Sequence, residues 1–165
     1  MGLEIYLLGQ FKLSANALSF ELPSRPAQSL LAFLVLNAGV THRRETLACM
    51  LWPESSDSNA RSNLRLALWR IRKSLDGAGL SWSDYLQIND ISITFDDQSD
   101  FWLDVDVFLK SKKDDPVEEL MQTLRLYKGE LLPGFYDEWA GLERDRLEAD
   151  YYQKMGHLLD LVMKQ

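Results

Sequence analysis

Apolar and polar residues alternate over the first part of the chain, at residues 3–7, 11–13 and 20–22. A period of two places successive side chains on opposite faces of a strand, so this pattern predicts short strands of a small antiparallel sheet. We expect turns at Gly9-Gln10 and around Asn16, where the alternation stops. Two prolines within residues 22–26 then end the sheet.

Three helices are predicted next, because apolar residues now recur every three or four positions. We expect them at about residues 26–37, 43–51 and 59–75. The third is the most regular. Its buried stripe is expected to consist of Ala60, Leu64, Ala67, Leu68, Ile71 and Leu75. Ser58 or Asn59 is expected to cap its first turn.

A hairpin follows the third helix. Residues 85–88 and 91–95 alternate on either side of Asn89-Asp90, which predicts two antiparallel strands joined by a tight turn. Strands, three helices and a hairpin, in this order, are typical of a winged helix-turn-helix domain. We place that domain at residues 1–98.

The remaining residues, 99–165, show helical periodicity from Asp100 onward, with helices expected at about 105–110, 116–127 and 137–162. This region would hold about two repeats of the roughly 34-residue tetratricopeptide type. The acids and bases of residues 143–146 are expected to form local ion pairs on the last helix. The predicted fold class is therefore α+β: a winged helix with an N-terminal antiparallel sheet, followed by a partial all-α, tetratricopeptide-like domain.

The net charge of −7 argues against nucleic acid as a partner, but the charge is unevenly distributed. Residues 1–98 carry 9 Lys and Arg against 10 Asp and Glu, a net charge of −1, whereas residues 99–165 carry 9 against 15, a net charge of −6. Residues 58–75 contain five basic side chains and no acid. Screening weakens distant charges, so a phosphate close to this helix would experience a positive field.

The side of the third helix opposite its apolar stripe is polar and basic. It presents Ser62, Leu66, Trp69 and Lys73, with Asn63, Arg65 and Arg70 on its flanks and Arg61 and Arg72 near the border of the stripe. A basic helix face is most often simply solvated. The pattern also fits two further interpretations: Leu66 and Trp69 could pack against protein, and Arg61 and Arg72 could pair with acids of the second domain.

Six further stretches form a recognisable set: LLGQF, LPSR followed by LLAFLVLNAG, ETLACMLWPE, ARSNLRLALWRIRKSL, DVDVF and LYKGELLPGFYDEWAGLERDRL. In this order they resemble the antibiotic-regulatory-protein (SARP-type) transcriptional activators of bacteria. The resemblance implies an OmpR/PhoB-like winged helix joined to the start of a bacterial transcriptional activator domain. It also implies contact with RNA polymerase and a homodimer on repeated DNA sites. Two departures are Pro26, which stands where a basic residue is usual, and the apolar pair Leu66 and Trp69.

This resemblance makes helix 59–75 the expected DNA-recognition helix of an activator, placed in the major groove of double-stranded DNA. Arg65 and Arg70 are the candidates for guanine, and Asn63 is the candidate for adenine. Ser62 is expected at a phosphate or a base edge, and Leu66 and Trp69 at thymine methyls or sugars. Lys73, Arg61 and Arg72 are expected at phosphates. The alternative function is a protein-interaction adaptor whose winged helix no longer binds DNA.

Catalytic, cofactor and metal sites are not expected. The sequence contains no phosphate-binding loop, nucleophile elbow or zinc-protease motif. Because Cys49 is the single cysteine, an intramolecular disulfide is excluded. Cys49 is expected on the second helix, with its side chain in the protein core. No signal peptide or membrane span is predicted, so we expect a cytoplasmic protein.

Overall fold

The computed structural model describes residues 2–112 and 114–164. Met1, Lys113 and Gln165, which the predicted domains include, lie outside the described residues. The strands are β1 (Leu3–Tyr6), β2 (Lys12–Ala15), β3 (Leu18–Phe20), β4 (Thr41–Arg43), β5 (Leu86–Ile88), β6 (Ser92–Phe95) and β7 (Phe101–Leu103). The helices are α1 (Arg25–Leu36), α2 (Arg44–Leu51), α3 (Asp57–Gly77), α4 (Asp104–Lys110), α5 (Val117–Arg125) and α6 (Glu138–Met163), with a short 3-10 helix at Trp82–Asp84.

The chain divides into two compact units. The first comprises Met1–Glu4 and Lys12–Phe101, and the second comprises Ile5–Phe11 and Trp102–Gln165. The predicted division into domains 1–98 and 99–165 remains a prediction. In these units, the segment Ile5–Phe11 groups with the C-terminal residues, an arrangement that local patterning could not indicate.

The N-terminal strands belong to a four-stranded sheet with the order β3-β2-β1-β7. Strands β2 and β3 are antiparallel, with Leu13 opposite Phe20 and Ala15 opposite Leu18. The two residues between them, Asn16 and Ala17, both have positive φ angles, 53° and 65°. Two such residues are what a type I′ hairpin turn requires, so the turn expected around Asn16 is confirmed.

Helix α1 begins where the sequence predicted, with Pro26 in its first turn and the Ser24 side chain accepting a hydrogen bond from the Ala27 amide. Its inner face is fully buried and includes Leu30, Leu31 and Leu34. It ends at Leu36 and is capped by Asn37, close to Gly39, whose φ angle of 85° suits a residue without a Cβ.

The wing has three strands, in the order β4-β6-β5. The predicted hairpin is confirmed, with Leu86 opposite Phe95 and Ile88 opposite Ile93. Strand β4 was not predicted. It pairs antiparallel with β6 and leads directly into α2.

Helices α1 and α2 both pack against α3. The six residues predicted for the buried stripe of α3 are all buried, which confirms its amphipathic pattern. The predicted cap was wrong: the Ser56 side chain accepts from the Asn59 amide at 3.2 Å, so α3 begins at Asp57. On α2, Cys49 is exposed and not in the core as expected, whereas the neighbouring Leu47 and Ala48 are buried.

The second unit contains α4, α5 and α6, close to the predicted positions. The expectation of purely helical structure from Asp100 was wrong, because Phe101–Leu103 forms β7. Asp104 follows this strand, and its carboxylate accepts hydrogen bonds from the backbone amides of Leu7, Leu8 and Val105. Burial raises the pKa of Asp104, while these amide bonds oppose the shift.

Residues 5–11 are also bound to the loop before α6 through backbone hydrogen bonds. The Gly9 amide donates to the Glu130 carbonyl at 2.8 Å, and the Leu132 amide donates to the Leu7 carbonyl at 2.9 Å. Gly9 has a φ angle of 81°, and a Cβ on it would lie 3.1 Å from the Gly129 nitrogen. Both the conformation and the close approach therefore favour glycine here.

Arg144 of α6 holds the same loop. Its guanidinium donates to the carbonyl oxygens of Leu131, Leu132 and Phe135, each at 2.8 Å. The expectation of local ion pairs at residues 143–146 was therefore correct for Arg146 and Glu143, which lie 2.8 Å apart. For Arg144 it was wrong, since this largely buried side chain satisfies backbone carbonyls, and the carboxylate near its Nε, at 3.7 Å, is that of Glu130 in the preceding loop.

Candidate nucleic-acid interface

The outer face of α3 is open to solvent. Six of the nine predicted site residues are exposed, namely Arg61, Ser62, Arg65, Leu66, Trp69 and Lys73. Asn63, Arg70 and Arg72 are half-buried. The helix is bound to its own unit by the buried stripe, and its basic, amide-bearing face points outward. This is the arrangement that a groove-binding helix needs.

Trp69 and Lys73 form one surface feature at the middle of this face. The Lys73 ammonium lies 4.7 Å from the centroid of the Trp69 ring, a cation–π distance. The two residues are four positions apart and so lie on the same side of the helix. Trp69 is 53% exposed and Leu66 is 45% exposed, so the face combines cationic and apolar surface.

Arg72 is held against the unit and is less available than its neighbours. Its guanidinium carbon lies 5.0 Å from the centroid of the Trp82 ring in the 3-10 helix. The buried Nε of Arg72 has no hydrogen-bond partner among the described residues. The structure therefore gives Arg72 a packing role that the sequence did not indicate.

The N-terminal half of α3 lines a groove of about 350 Å³ between α2, α3 and the tip of the wing. Four arginines border it: Arg61 and Arg65 from α3, Arg43 from the end of β4 and Arg44 from the start of α2. Glu45, Leu64, Asp90 and Ile91 complete the lining. Arg43 and Arg44 are not among the site residues expected from the sequence. Their adjacency in the sequence was a signal, but their proximity to α3 depends on the tertiary fold.

The tip of the wing is fixed by a compact set of hydrogen bonds. Asn89 Oδ1 accepts from the amides of Ile91 and Ser92, both at 2.8 Å. Arg44 connects the tip to α2, since its amide donates to the Ile91 carbonyl and its guanidinium donates to the Asn89 carbonyl. The wing therefore has a defined position relative to the groove. Ile91 at its tip is 63% exposed.

His42 lies in β4, an edge strand of the wing sheet. Its ring is 5.0 Å from the Phe33 ring of α1, and its buried Nε2 has no hydrogen-bond partner among the described residues. Burial lowers the pKa of His42 because the charged imidazolium loses solvation. This histidine is therefore part of the support for the wing sheet.

The order of elements and the exposed, basic third helix define a winged-helix unit with a helical unit after it. No protein-family model matches the sequence, and no curated protein matches it. A solved structure of Mycobacterium tuberculosis EmbR, in complex with a low-affinity phosphopeptide, is similar, with a TM-score of 0.81 and 21% sequence identity over 93% of this chain. The chain spans 43% of the EmbR chain.

At this identity the similarity concerns the fold. It confirms the predicted α+β class, in which a winged helix precedes helical structure, and it agrees with the fold implied by the resemblance to SARP-type proteins. Among the described residues, no helix combines the length and the apolar composition needed to cross a membrane.

Proposed function

We propose that this protein is a sequence-specific DNA-binding transcriptional activator whose helix α3 enters the major groove. The observation that carries the proposal is the division of α3 into a buried apolar stripe and an exposed basic face, within a winged-helix fold. A helix of this kind matches the width of the major groove, where base edges present a distinct pattern of donors and acceptors.

Within this proposal, Arg65 and Arg70 contact guanine, Asn63 contacts adenine, and Ser62 contacts a phosphate or a base edge. Lys73, Arg61 and the partly held Arg72 contact phosphates. Leu66 and Trp69 pack on thymine methyls and sugars. The wing tip carries no Lys or Arg, so its contribution comes from contact by Asn89, Ile91 and their neighbours.

The second unit is the part of the chain that contacts protein partners in this proposal. Its net charge of −6 for residues 99–165 disfavours contact with DNA and leaves an acidic surface for proteins. We propose RNA polymerase and a second copy of the chain, bound at repeated sites, as those proteins. Acting on the chromosome of a bacterium, the protein would work in the cytoplasm and without a cofactor or catalytic step.

Selection of bound duplexes from random DNA tests this proposal. We expect a preferred sequence, and we expect Arg65→Ala to weaken binding to it by about tenfold or more, since a bidentate contact to a base contributes roughly 1–3 kcal/mol. Arg125→Ala removes an exposed cation from α5 and is the matched control. Failure to enrich any sequence, or equal affinity of the Arg65 variant and the control, would contradict the proposal.

One observation favours the adaptor function as a second candidate. Leu66 and Trp69 form exposed apolar surface on α3, and such residues are often covered by protein. In that case Trp69→Ala would weaken association with a protein partner and leave affinity for duplex DNA unchanged.

A further inference from the structure

The groove between α2, α3 and the wing tip combines cations from separate parts of the sequence. Arg43 and Arg44 come from the junction of β4 and α2, and Arg61 and Arg65 come from α3. Arg61 and Arg65 are four positions apart, so they project from the same side of the helix. The fold thus brings four arginines to one concave surface.

The positive charge of this groove is not neutralised by ion pairs. Two carboxylates, Glu45 and Asp90, also line it. Among residues 2–112 and 114–164, however, no carboxylate oxygen lies within 4.0 Å of the guanidinium nitrogens of Arg43, Arg44, Arg61 or Arg65. Like charges held together without counter-charges repel each other, and a bound anion relieves that repulsion.

Two of the four side chains are already held in place. Arg44 Nη1 donates to the Asn89 carbonyl at 3.1 Å, and Arg65 Nη2 donates to the Ser62 hydroxyl at 3.2 Å. Each of these bonds uses only part of the donor set of a guanidinium, which has five N–H groups. The remaining donors are available to a ligand, and the restraint lowers the entropic cost of binding it.

We propose that this groove is a phosphate-binding site, in which Arg43, Arg44 and Arg61 bind the phosphate oxygens and Arg65 lies at the edge shared with the exposed face of α3. Guanidinium groups match the oxygens of phosphate in geometry and charge. The volume of about 350 Å³ lies at the lower end of the range for small-molecule sites, and it accommodates a phosphate with part of the group that carries it.

The phosphate has two potential sources with the same chemistry. If the source is a phosphodiester of the DNA backbone, its binding to these arginines would hold α3 in the major groove of the DNA with sequence-independent affinity. A free phosphorylated small molecule would occupy the same arginines and compete with DNA. The site itself does not depend on the proposed sequence-specific function, because it binds phosphate whichever molecule carries it.

The first arm of the test uses inorganic phosphate as the probe, titrated into the full chain at constant ionic strength and followed by calorimetry. We expect saturable binding that weakens by about tenfold or more in the double variant Arg43→Gln, Arg61→Gln. Lys12→Gln combined with Arg125→Gln removes the same number of charges elsewhere and should bind phosphate normally. Thermal unfolding of all three proteins confirms that they fold.

The second arm distinguishes the sources. If random-sequence duplex displaces the probe, and the groove variant lowers the salt dependence of duplex binding by about one phosphate contact, the source is the DNA backbone. If the groove variant loses phosphate binding but keeps the salt dependence of duplex binding unchanged, the source is a free phosphorylated molecule. Absence of saturable phosphate binding, or equal binding by the groove variant, would overturn the proposal. Failure of the proposed function is a different result, namely no preferred duplex in the selection experiment.

Discussion

The ammonium of Lys73 lies 4.7 Å from the centroid of the Trp69 indole ring, on the exposed face of α3. An exposed cation–π contact contributes about 0.5–1 kcal/mol, and an i, i+4 arrangement adds no strain. We expect a double-mutant cycle with Trp69→Ala and Lys73→Ala to give a coupling energy of about 0.5–1 kcal/mol in denaturant unfolding. The unfolding is best followed by far-ultraviolet circular dichroism, which does not depend on Trp69 fluorescence.

The same cycle with Lys73→Ala and Ser62→Ala is the control, because these two residues lie three helical turns apart along α3. Their effects should add. Additive effects of Trp69 and Lys73 would show that the contact contributes nothing measurable to stability. Repeating the cycle with duplex DNA would then report whether Trp69 acts with Lys73 at the DNA.

The prediction for His42 concerns the stability of the wing at acidic pH. Because burial lowers its folded-state pKa below the ordinary value of 6.5, the unfolded chain binds a proton more readily than the folded one. The contribution of His42 to stability is therefore complete above pH 6.5 and is lost as the pH falls from 6.5 toward the folded-state pKa. Denaturant unfolding between about pH 8 and pH 5 measures this loss.

His42→Gln should remove that component of the pH dependence, and His157→Gln, which changes the histidine of α6, should retain it. An identical pH profile for His42→Gln and the parent chain would mean that the His42 ring does not respond to pH through burial. The comparison of the two variants separates the effect of His42 from the titration of carboxylates, which both variants share.

Asp104 is predicted to hold the segment of residues 5–11 in place. Its carboxylate accepts from the amides of Leu7 and Leu8 at 3.0 Å, and these amides are separated from it by more than ninety residues of sequence. Asp104→Asn replaces one acceptor oxygen with a donor, so at least one buried amide loses its partner at a cost of about 1–3 kcal/mol. We expect faster hydrogen exchange at Leu7 and Leu8. Asp106→Asn on the same helix is the control, and unchanged exchange in the Asp104 variant would contradict the prediction.

The sequence predicted best those elements whose pattern is long and local. Six apolar residues in register fix the inner face of α3, and the opposite face follows from it. The cap was harder, because residues 55–59 contain three serines, an aspartate and an asparagine, and all of these types suit the position. Only the path of the loop selects Ser56. Strands β4 and β7 are three residues long, and they exist because distant strands pair with them.

In the candidate site, too, the residues with a local pattern were predicted and those brought together by the tertiary fold were not. The exposed residues of α3 follow from helical periodicity, whereas the convergence of Arg43 and Arg44 with Arg61 and Arg65 depends on how β4, α2 and α3 pack. Similarly, the position of Arg72 over Trp82 depends on the 3-10 helix, which has no periodic signal in the sequence. Contacts between distant segments are therefore the part of the site that sequence patterns do not reveal.

Arg144 is the case in which a residue predicted as a surface charge is a structural donor. Its three hydrogen bonds to the carbonyls of Leu131, Leu132 and Phe135 satisfy the loop that pairs with residues 7–9. Arg144→Met keeps most of the aliphatic stem but leaves these carbonyls without their donor. It also removes the weaker ion pair with the exposed Glu130. We therefore expect a loss of about 2–4 kcal/mol in the free energy of unfolding.

Arg146→Met is the matched control two residues away. Arg146 is paired with Glu143 at 2.8 Å, and its side chain is 63% exposed, so its removal should cost less than about 1 kcal/mol. Hydrogen exchange at Gly9 and Leu132, whose amides connect the two segments, should accelerate only in the Arg144 variant. If the two variants were equally stable, the carbonyl contacts of Arg144 would contribute no more than an exposed ion pair, and the position of the loop would depend on the buried Leu131 and Leu132 side chains instead.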